Sequence, residues 1–342
     1  MGKELKMAKN DVCINVMMLG GRRCGKTSVL ASIEEQFDKV FGRTNLTIKA
    51  LDDDTLITLE NKKSEANKLY RTYKLNEPFV VDNNPSDQIN EYELSVELKS
   101  RKNGRIYMKF YDYPGEWLKD KSHSSELNAI MKKCNVFIIA IDTPGLMEDD
   151  APEDTNYSSH IGSFLKNNDQ FKEKKSSMIL FVPLKCEYYI RNNKMNEVCE
   201  KVRMKYEKII NHVYNDFIKN TEMSIIPIQT LGNVQFARYE DQKAFYKFIP
   251  DDNGKRPVKP QPTNCEIPAV LILMYLLRLA YISKSKKEGI LDKIFAPILQ
   301  SFFKMPSAED FLNEYETLKS QLENVKSNDG FDIITDPLKF TK

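Results

Sequence analysis

The residues best suited to chemistry stand near the amino terminus, in the stretch GGRRCGKTS at residues 20–28. Its spacing is G-x-x-x-x-G-K-[S/T], in which backbone N–H groups curl around phosphate oxygens, Lys26 reaches the terminal phosphates and the Thr27 hydroxyl ligates magnesium. The alternative is a glycine-rich turn from strand to helix without a ligand. Because an apolar strand precedes the stretch and an amphipathic helix follows it, we predict a nucleoside-triphosphate site. The predicted site comprises Gly20, Gly21, Arg22, Arg23, Cys24, Gly25, Lys26, Thr27 and Ser28.

A second stretch, KFYDYPGEWL at 109–118, can supply the other side of a phosphate site. Asp112 ends a strand-like run, so its carboxylate can face magnesium directly or through water. Asp112 and Gly115 also form D-x-x-G, in which the glycine N–H contacts the terminal phosphate. An ordinary turn produces the same spacing, but the position after a phosphate loop favours the functional interpretation. Glu116 can position a water or accept its proton, although it would also repel a triphosphate, and its catalytic role stays open.

The run Leu184-Lys185-Cys186-Glu187 follows another apolar strand and resembles a base-recognition loop. Guanine is commonly held by [N/T]-K-x-D, where the lysine covers the ring and the acid accepts from the base. Lys185 and Glu187 fit that chemistry, whereas Leu184 cannot replace an asparagine; a solvated Lys and Glu after a strand is the alternative. Backbone amides near Thr230 and Gly232, in the later stretch PIQTLGN, can meet the guanine oxygen.

A hydroxyl that senses the terminal phosphate and the metal is harder to find. No threonine occurs between Tyr73 and Asp142. Ser86, in DNNPSDQINEY, is the best candidate, and a surface turn closed by its hydroxyl is the alternative.

Hydrophobic periodicity predicts the elements that position these residues. Apolar runs predict buried strands, and residues 92–99 and 105–112, joined across Asn103-Gly104, predict a hairpin. The predicted strands are 11–20, 92–99, 105–112, 134–142, 176–185 and 223–230, and the predicted helices are 26–37, 51–74, 194–220 and 266–283. Strands that alternate with helices imply an α/β fold with a mainly parallel sheet, one antiparallel edge hairpin and helices on both faces.

Composition excludes several classes of protein. The chain of 342 residues has 51 Lys+Arg against 49 Asp+Glu, so no global charge points to nucleic acid. Six cysteines without a C-x-x-C pair, and three histidines, argue against a zinc site and for reduced thiols. Residues 1–10 are polar without a signal-peptide core, and the apolar run 268–282 is too short to cross a bilayer. We therefore expect a cytoplasmic protein.

Together, GRRCGKT, YDYPGEWL, FVPLKCEYY, PIQTLG and P…NCEIP resemble bacterial TRAFAC-class P-loop GTPases. The most similar groups are the double-GTPase-like proteins of prokaryotic conflict systems and, through DYPGEWL, the YcjX-like NTPases. The resemblance spans about residues 11–283 and implies a P-loop GTPase fold, GTP/GDP with Mg2+, and switching coupled to protein partners, with a role in antiviral defence. Leu184, Glu187 and the missing switch threonine depart from the pattern, and they bear on guanine preference and on hydrolysis rate.

These observations divide the chain into a P-loop GTPase domain, residues 1–283, and a helical extension, 284–342, with helices near 290–300 and 307–325. The domain carries a helical insert at about 51–74 and a second insert at about 233–264, whose part 249–264 reads as a loop or arm. Two alternatives to a GTP-hydrolysing switch stay open: an ATP-using P-loop enzyme, and a nucleotide-bound scaffold that hydrolyses negligibly.

Overall fold

The computed structural model describes residues 12–41, 46–81, 88–98, 105–166, 177–212, 221–251, 253–285, 313, 315–320, 322 and 331–335. Its strands are β1 Val12–Gly20, β2 Leu46–Ala50, β3 Phe79–Val80, β4 Asn90–Leu98, β5 Arg105–Asp112, β6 Val136–Asp142, β7 Ser177–Leu184, β8 Thr221–Ile225, β9 Val234–Glu240, β10 Lys243–Phe248 and β11 Asp332–Thr335. Its helices are α1 Lys26–Phe41, α2 Asp53–Thr72, α3 Ser124–Met131, α4 Thr143–Met147, α5 Ser158–Lys166, α6 Glu187–Arg191, α7 Met195–Lys205, α8 Glu207–His212 and α9 Ile267–Ser285.

One eight-stranded sheet forms the centre of the fold, in the order β11-β8-β7-β6-β1-β5-β4-β2. Strands β8, β7, β6, β1 and β5 are parallel, and β4 pairs antiparallel with β5, as the Asn-Gly hairpin signal predicts. The α/β fold with a mainly parallel sheet is therefore confirmed. Two edge strands were not predicted: β2 extends the hairpin side, and β11 pairs antiparallel with β8 at the opposite edge.

Both faces of the central sheet are covered, which explains its continuously apolar strands. Along β1, Val16 and Met18 join one hydrophobic cluster, with α1 and α9, while Met17 and Leu19 join a second, with α3, α5 and α7. Every residue of β6 and β7 is buried. Successive side chains of a strand point to opposite faces, so a strand packed on both sides needs apolar residues at every position.

Two segments far apart in the chain build a small second sheet, in the order β3-β10-β9. Helix α2, predicted as an insert, leads into β3, whereas β9 and β10 form a hairpin inside the predicted insert 233–264, which the sequence did not predict as strands. Asp241 and Gln242 connect that hairpin, both at positive φ (48° and 61°), the twist that two-residue hairpin turns favour. Asp-Gln is not one of the residue pairs, such as Asn-Gly, that indicate a two-residue hairpin turn. This hairpin therefore could not be predicted from its turn residues.

The predicted long helix 194–220 is interrupted in the described residues. Helix α7 ends at Lys205 and α8 begins at Glu207, with Tyr206 buried between them. The remainder of that prediction, 213–220, lies outside the described residues.

The carboxy-terminal segment packs on the domain and is not purely helical. Tyr315, Leu318 and Leu322 are buried in the cluster that contains α9, and β11 adds a strand to the sheet. The extension was predicted as helical, and β11 was missed because four residues give too short a pattern. The helix predicted near 290–300 lies outside the described residues. Among the helices that are described, none has the length and hydrophobicity to cross a membrane.

Truncating Leu318 tests how firmly this segment is docked. Leu318 is fully buried (0% exposed), so Leu318→Ala should lower the free energy of unfolding by about 2–5 kcal/mol. The matched control is Leu56→Ala, because Leu56 is 45% exposed on α2 and should change stability by about 0.5 kcal/mol. Urea denaturation of both variants measures the difference, and equal unfolding free energies would contradict the docking.

Candidate functional site

The turn between β1 and α1 is held by close backbone contacts that only glycine allows. A Cβ on Gly20, whose φ is +150°, would lie 2.7 Å from the carbonyl oxygen of Ala140. A Cβ on Gly21 would overlap the carbonyl oxygen of Thr155. The loop then turns through Arg23 and Gly25, both at positive φ, before α1 begins at Lys26. The turn thus delivers Lys26 and Thr27 on the first turn of the helix.

A carboxylate from the neighbouring strand meets both of these side chains. Asp112, the last residue of β5, accepts a hydrogen bond from the Thr27 hydroxyl at 2.7 Å. The Lys26 ammonium lies 3.6 Å from the other Asp112 oxygen and donates to the carbonyl of Gly21 at 3.3 Å. Lys26 is 8% and Asp112 4% exposed, so the pair is buried. The structure brings together the three side chains that the sequence assigned to phosphate and metal.

The side-chain oxygens of Thr27 and Asp112 are suitable ligands for magnesium. A hydroxyl and a carboxylate are the oxygen ligands that Mg2+ prefers, and two oxygens on neighbouring corners of its octahedron lie about 2.9 Å apart. The 2.7 Å between Thr27 and Asp112 fits that spacing. Within the described part of the chain no group of three His, Cys, Asp or Glu residues is arranged to hold a metal. Ser86, the third predicted ligand, lies outside the described residues.

A cavity of about 260 Å3 lies over these groups. The phosphate loop from Arg22 to Ser28 forms one wall, and Asp112 to Glu116 form another. Gly115 packs closely against the backbone of the phosphate loop. A Cβ on Gly115 would lie 2.7 Å from the Arg22 nitrogen and 2.8 Å from the Gly20 oxygen. Glu116 pairs with Arg22 at 2.8 Å, and both side chains are largely exposed. The D-x-x-G segment from Asp112 to Gly115, predicted as the switch that senses the terminal phosphate, is thus in direct contact with the phosphate loop.

The predicted base-recognition loop is held by a second ion pair, in which Asp142 is buried and the Lys185 side chain is 22% exposed. Lys185, at a φ of 59°, pairs with Asp142 at the end of β6. Burial alone would lower the pKa of Lys185, but the Asp142 carboxylate outweighs it and raises that pKa. Asp142 also caps α4 by accepting from the Gly145 N–H at 3.0 Å, and its backbone is hydrogen-bonded to Asn156. The ammonium is therefore fixed in place and charged.

Glu187 begins the short helix α6 and lies in a different environment from Lys185. It is 4% exposed, and burial raises its pKa to about 7, although backbone N–H groups and Lys185 act in the opposite direction. The Gly232 N–H donates to its carboxyl group at 3.4 Å. Gly232 has a φ of +83°, and a Cβ there would overlap the carbonyl oxygen of Gln261. The structure thus joins the two segments predicted to contact the base.

A wider cavity of about 870 Å3 adjoins the first and contains Lys185, Glu187 and Thr230. Four residues line both cavities: Cys24, Gly25, Ser28 and Lys62. Leu184, which replaces the expected asparagine, is buried with its Cδ1 directed at Gly25, 3.4 Å from where a Cβ would stand. The base loop is therefore packed on the phosphate loop by an apolar contact instead of an amide.

With this geometry in place, the matching family is informative. The Double-GTPase 2 family matches residues 14–239, which include every described site residue predicted from the sequence. The chain belongs to that family. No curated protein matches it.

Solved structures that resemble this Double-GTPase 2 protein include the S. cerevisiae Ski7 GTPase-like domain in two states. The GTP-bound domain is 13% identical, with a TM-score of 0.34, and the match covers 65% of this chain and 44% of that chain. The domain bound to GDP and inorganic phosphate is 13% identical, with a TM-score of 0.31, and the match covers 64% and 43%. The match thus spans less than half the length of either neighbour.

Several residues of the site were not predicted from the sequence of this Double-GTPase 2 protein. Asp142 could have been suspected, because a carboxylate that ends a buried parallel strand lies at the edge where ligands bind. Tyr246, from the second sheet, lines the wider cavity, and its ring is 5.7 Å from the Lys185 ammonium. Thr58 and Lys62 line the phosphate cavity from α2, a helix whose sequence gives no such signal.

Alanine at Gly115 tests the contact between switch and phosphate loop. The new Cβ would clash with backbone atoms that cannot move independently, so Gly115→Ala should cost about 1–3 kcal/mol of unfolding free energy. Gly162→Ala is the control, because on α5 its nearest neighbour would be 3.6 Å away and alanine favours a helix by about 0.5–1 kcal/mol. Chemical denaturation measures both, and a Gly115→Ala variant as stable as Gly162→Ala would refute the contact.

Proposed function

We propose that this protein binds GTP with magnesium, hydrolyses it to GDP and phosphate, and acts as a molecular switch. The observation that carries the proposal is the pair of adjoining cavities. The smaller cavity is lined by Lys26, Thr27 and Asp112, and the wider cavity is lined by Lys185 and Glu187. Membership of the Double-GTPase 2 family supports the same function.

In the smaller cavity, the residues of 20–28 hold the phosphates. Backbone N–H groups of the loop and the first turn of α1 contact phosphate oxygens, and Lys26 neutralises the terminal phosphates. Thr27 and Asp112 would hold magnesium, which would supply charge neutralisation at the phosphates. The N–H of Gly115 reads the terminal phosphate, since this glycine already lies against the loop.

Hydrolysis requires a water that attacks the terminal phosphorus while the bond to the bridging oxygen breaks. Glu116 is the side chain we propose to orient that water, because it borders the phosphate cavity. Its negative charge would oppose a triphosphate, but the Arg22 guanidinium at 2.8 Å offsets that charge and also lines the cavity. The two side chains are exposed, so they can rearrange when a nucleotide binds.

In the wider cavity, Lys185 covers one face of the guanine ring and the Glu187 carboxylate accepts from the base N–H groups. The backbone near Thr230 and Gly232 meets the guanine oxygen. Asp142 fixes the Lys185 ammonium, and Leu184 holds the loop against Gly25, so the contact made by an asparagine in other GTPases is not required here.

We further propose that nucleotide state controls binding to partner proteins, in the cytoplasm and within a prokaryotic conflict system. The resemblance carried by residues 11–283 supports this part of the proposal. Recovery of the same partner with GTP-loaded but not GDP-loaded protein from the native host would test it.

Nucleotide competition and phosphate release test the central claim. A fluorescent guanine nucleotide should be displaced by GTP at least about tenfold more readily than by ATP, the discrimination that a carboxylate facing the base provides. Lys26→Ala should lower GTP affinity by at least about tenfold, whereas Lys49→Ala, on the exposed edge strand β2, should not. ATP binding at least as tight as GTP would sink the guanine assignment.

The same preparations separate an enzyme from a scaffold. Wild-type protein should release phosphate faster than Lys26→Ala, and Glu116→Ala should slow release while GTP affinity changes little. A wild-type rate no greater than that of Lys26→Ala would favour a nucleotide-bound scaffold.

The pKa of Glu187 predicts a pH dependence. Only the ionised carboxylate accepts two hydrogen bonds from guanine, and with a pKa of about 7 its ionised fraction rises about tenfold between about pH 6 and about pH 8. GTP affinity should rise over that interval by up to the same factor. The free protein behaves oppositely: a raised carboxyl pKa stabilises the fold at acidic pH, and this contribution is lost as pH rises through about 7.

Titrations with wild type and Glu187→Gln check the assignment. The variant should bind GTP more weakly and without the additional pH dependence, while its ATP affinity should match that of wild type. An unchanged pH profile in Glu187→Gln would assign the effect to another group.

A further inference from the structure

Helix α2 brings two polar side chains to the phosphate cavity. Thr58 and Lys62 both line it, and residues four apart share one face of a helix. Lys62 also lines the wider cavity, so it stands where the two cavities meet. Two lysines line the phosphate cavity, Lys26 from α1 and Lys62 from α2.

Contacts at both ends fix α2 against the site. At its start, Asp52 caps the helix, and the Thr55 hydroxyl accepts from the backbone N–H of Glu93 on β4 at 3.1 Å. At its end, the Arg256 guanidinium donates to the carbonyl of Tyr73 at 3.0 Å, and the Tyr70 hydroxyl donates to the carbonyl of Leu231. The helix of 20 residues is about 30 Å long and connects β4 of the hairpin with the segment that contains Leu231.

The present partner of Lys62 is a weak one. Its ammonium pairs with Glu65 at 2.7 Å, one turn further along, and the side chains are 23% and 57% exposed. Pairs between an exposed carboxylate and a lysine on one helix stabilise little. A phosphate carries more charge and several acceptor oxygens, so within the cavity it is the stronger partner.

We propose that Lys62 reads the terminal phosphate of the bound triphosphate, exchanging Glu65 for that phosphate. The inference rests on the proposed function and makes α2 the first switch element, in the role for which the sequence offered Ser86. GDP lacks the terminal phosphate and leaves Lys62 paired with Glu65. Leu231 and Arg256 contact the end of α2, so the helix that carries Lys62 also joins the segment 227–233 and the second insert.

The test compares affinities for GDP and for a GTP analogue with a nitrogen bridge between its last two phosphates. Lys62→Ala should lower affinity for the analogue by about ten- to a hundredfold, the contribution of a hydrogen bond to a charged group, and leave GDP affinity unchanged. Glu65→Gln removes the competing carboxylate and should raise the preference for the analogue by up to about fivefold.

Lys63→Ala is the matched control, since Lys63 has an equivalent pair with Glu60 at 2.8 Å but does not line the phosphate cavity. Its ratio of analogue to GDP affinity should equal that of wild type, and thermal unfolding verifies that the variants are folded. A Lys62→Ala ratio equal to that of Lys63→Ala overturns the role of Lys62 alone. Wild-type protein that binds neither nucleotide overturns the proposed function and, with it, this inference.

Discussion

The site depends on close backbone packing of the phosphate loop against its neighbours. Gly20 lies on the end of β6, Gly21 on the carbonyl of Thr155, and Gly115 on the loop itself, each at a distance that excludes a side chain. These contacts place the ends of β1, β5 and β6 in one fixed relation. Asp112 and Asp142 end β5 and β6, and Lys26 begins α1 after the turn that follows β1, so the placement of these side chains depends on the three glycines and on the register of the parallel sheet.

The two predicted inserts pack against each other. Helix α2 and the β9–β10 hairpin come from distant parts of the chain, yet they join through β3, through the hydroxyl of Tyr70 and through Arg256. The aromatic rings of Tyr70, Phe79 and Phe248 pack between them, which gives the unit its own small core. The wider cavity is lined in part by this unit, through Leu69, Val80 and Tyr246. A ligand there contacts the domain and both inserts at once.

The sequence predicted the parts of this structure that are encoded locally. The strand, loop and helix at 12–41 and the hairpin with its terminal Asp112 carry strong patterns, because glycine spacing and apolar runs act over a few residues. The edge strands β2 and β11 escaped because short edge strands have little pattern of their own. The β9–β10 hairpin escaped because Asp241-Gln242 is an unusual turn. The contact of Asp142 with Lys185, and the approach of Lys62, depend on sheet order and on helix placement, which no local pattern contains.

Each cavity has a lysine paired with an aspartate from the end of a neighbouring strand: Lys26 with Asp112, where both side chains are buried, and Lys185 with Asp142, where the lysine is partly exposed. Removing one partner from a buried ion pair costs far more than the pair contributes, because a charge is left uncompensated. A phosphate that took Lys26 alone would leave the Asp112 carboxylate buried beside further negative charge. A phosphate that arrives with a divalent cation supplies both replacements at once, an anion for the lysine and a cation for the carboxylate. Under the function proposed above, the buried pair of Lys26 and Asp112 would therefore favour a metal–nucleotide complex over the free nucleotide by charge balance alone.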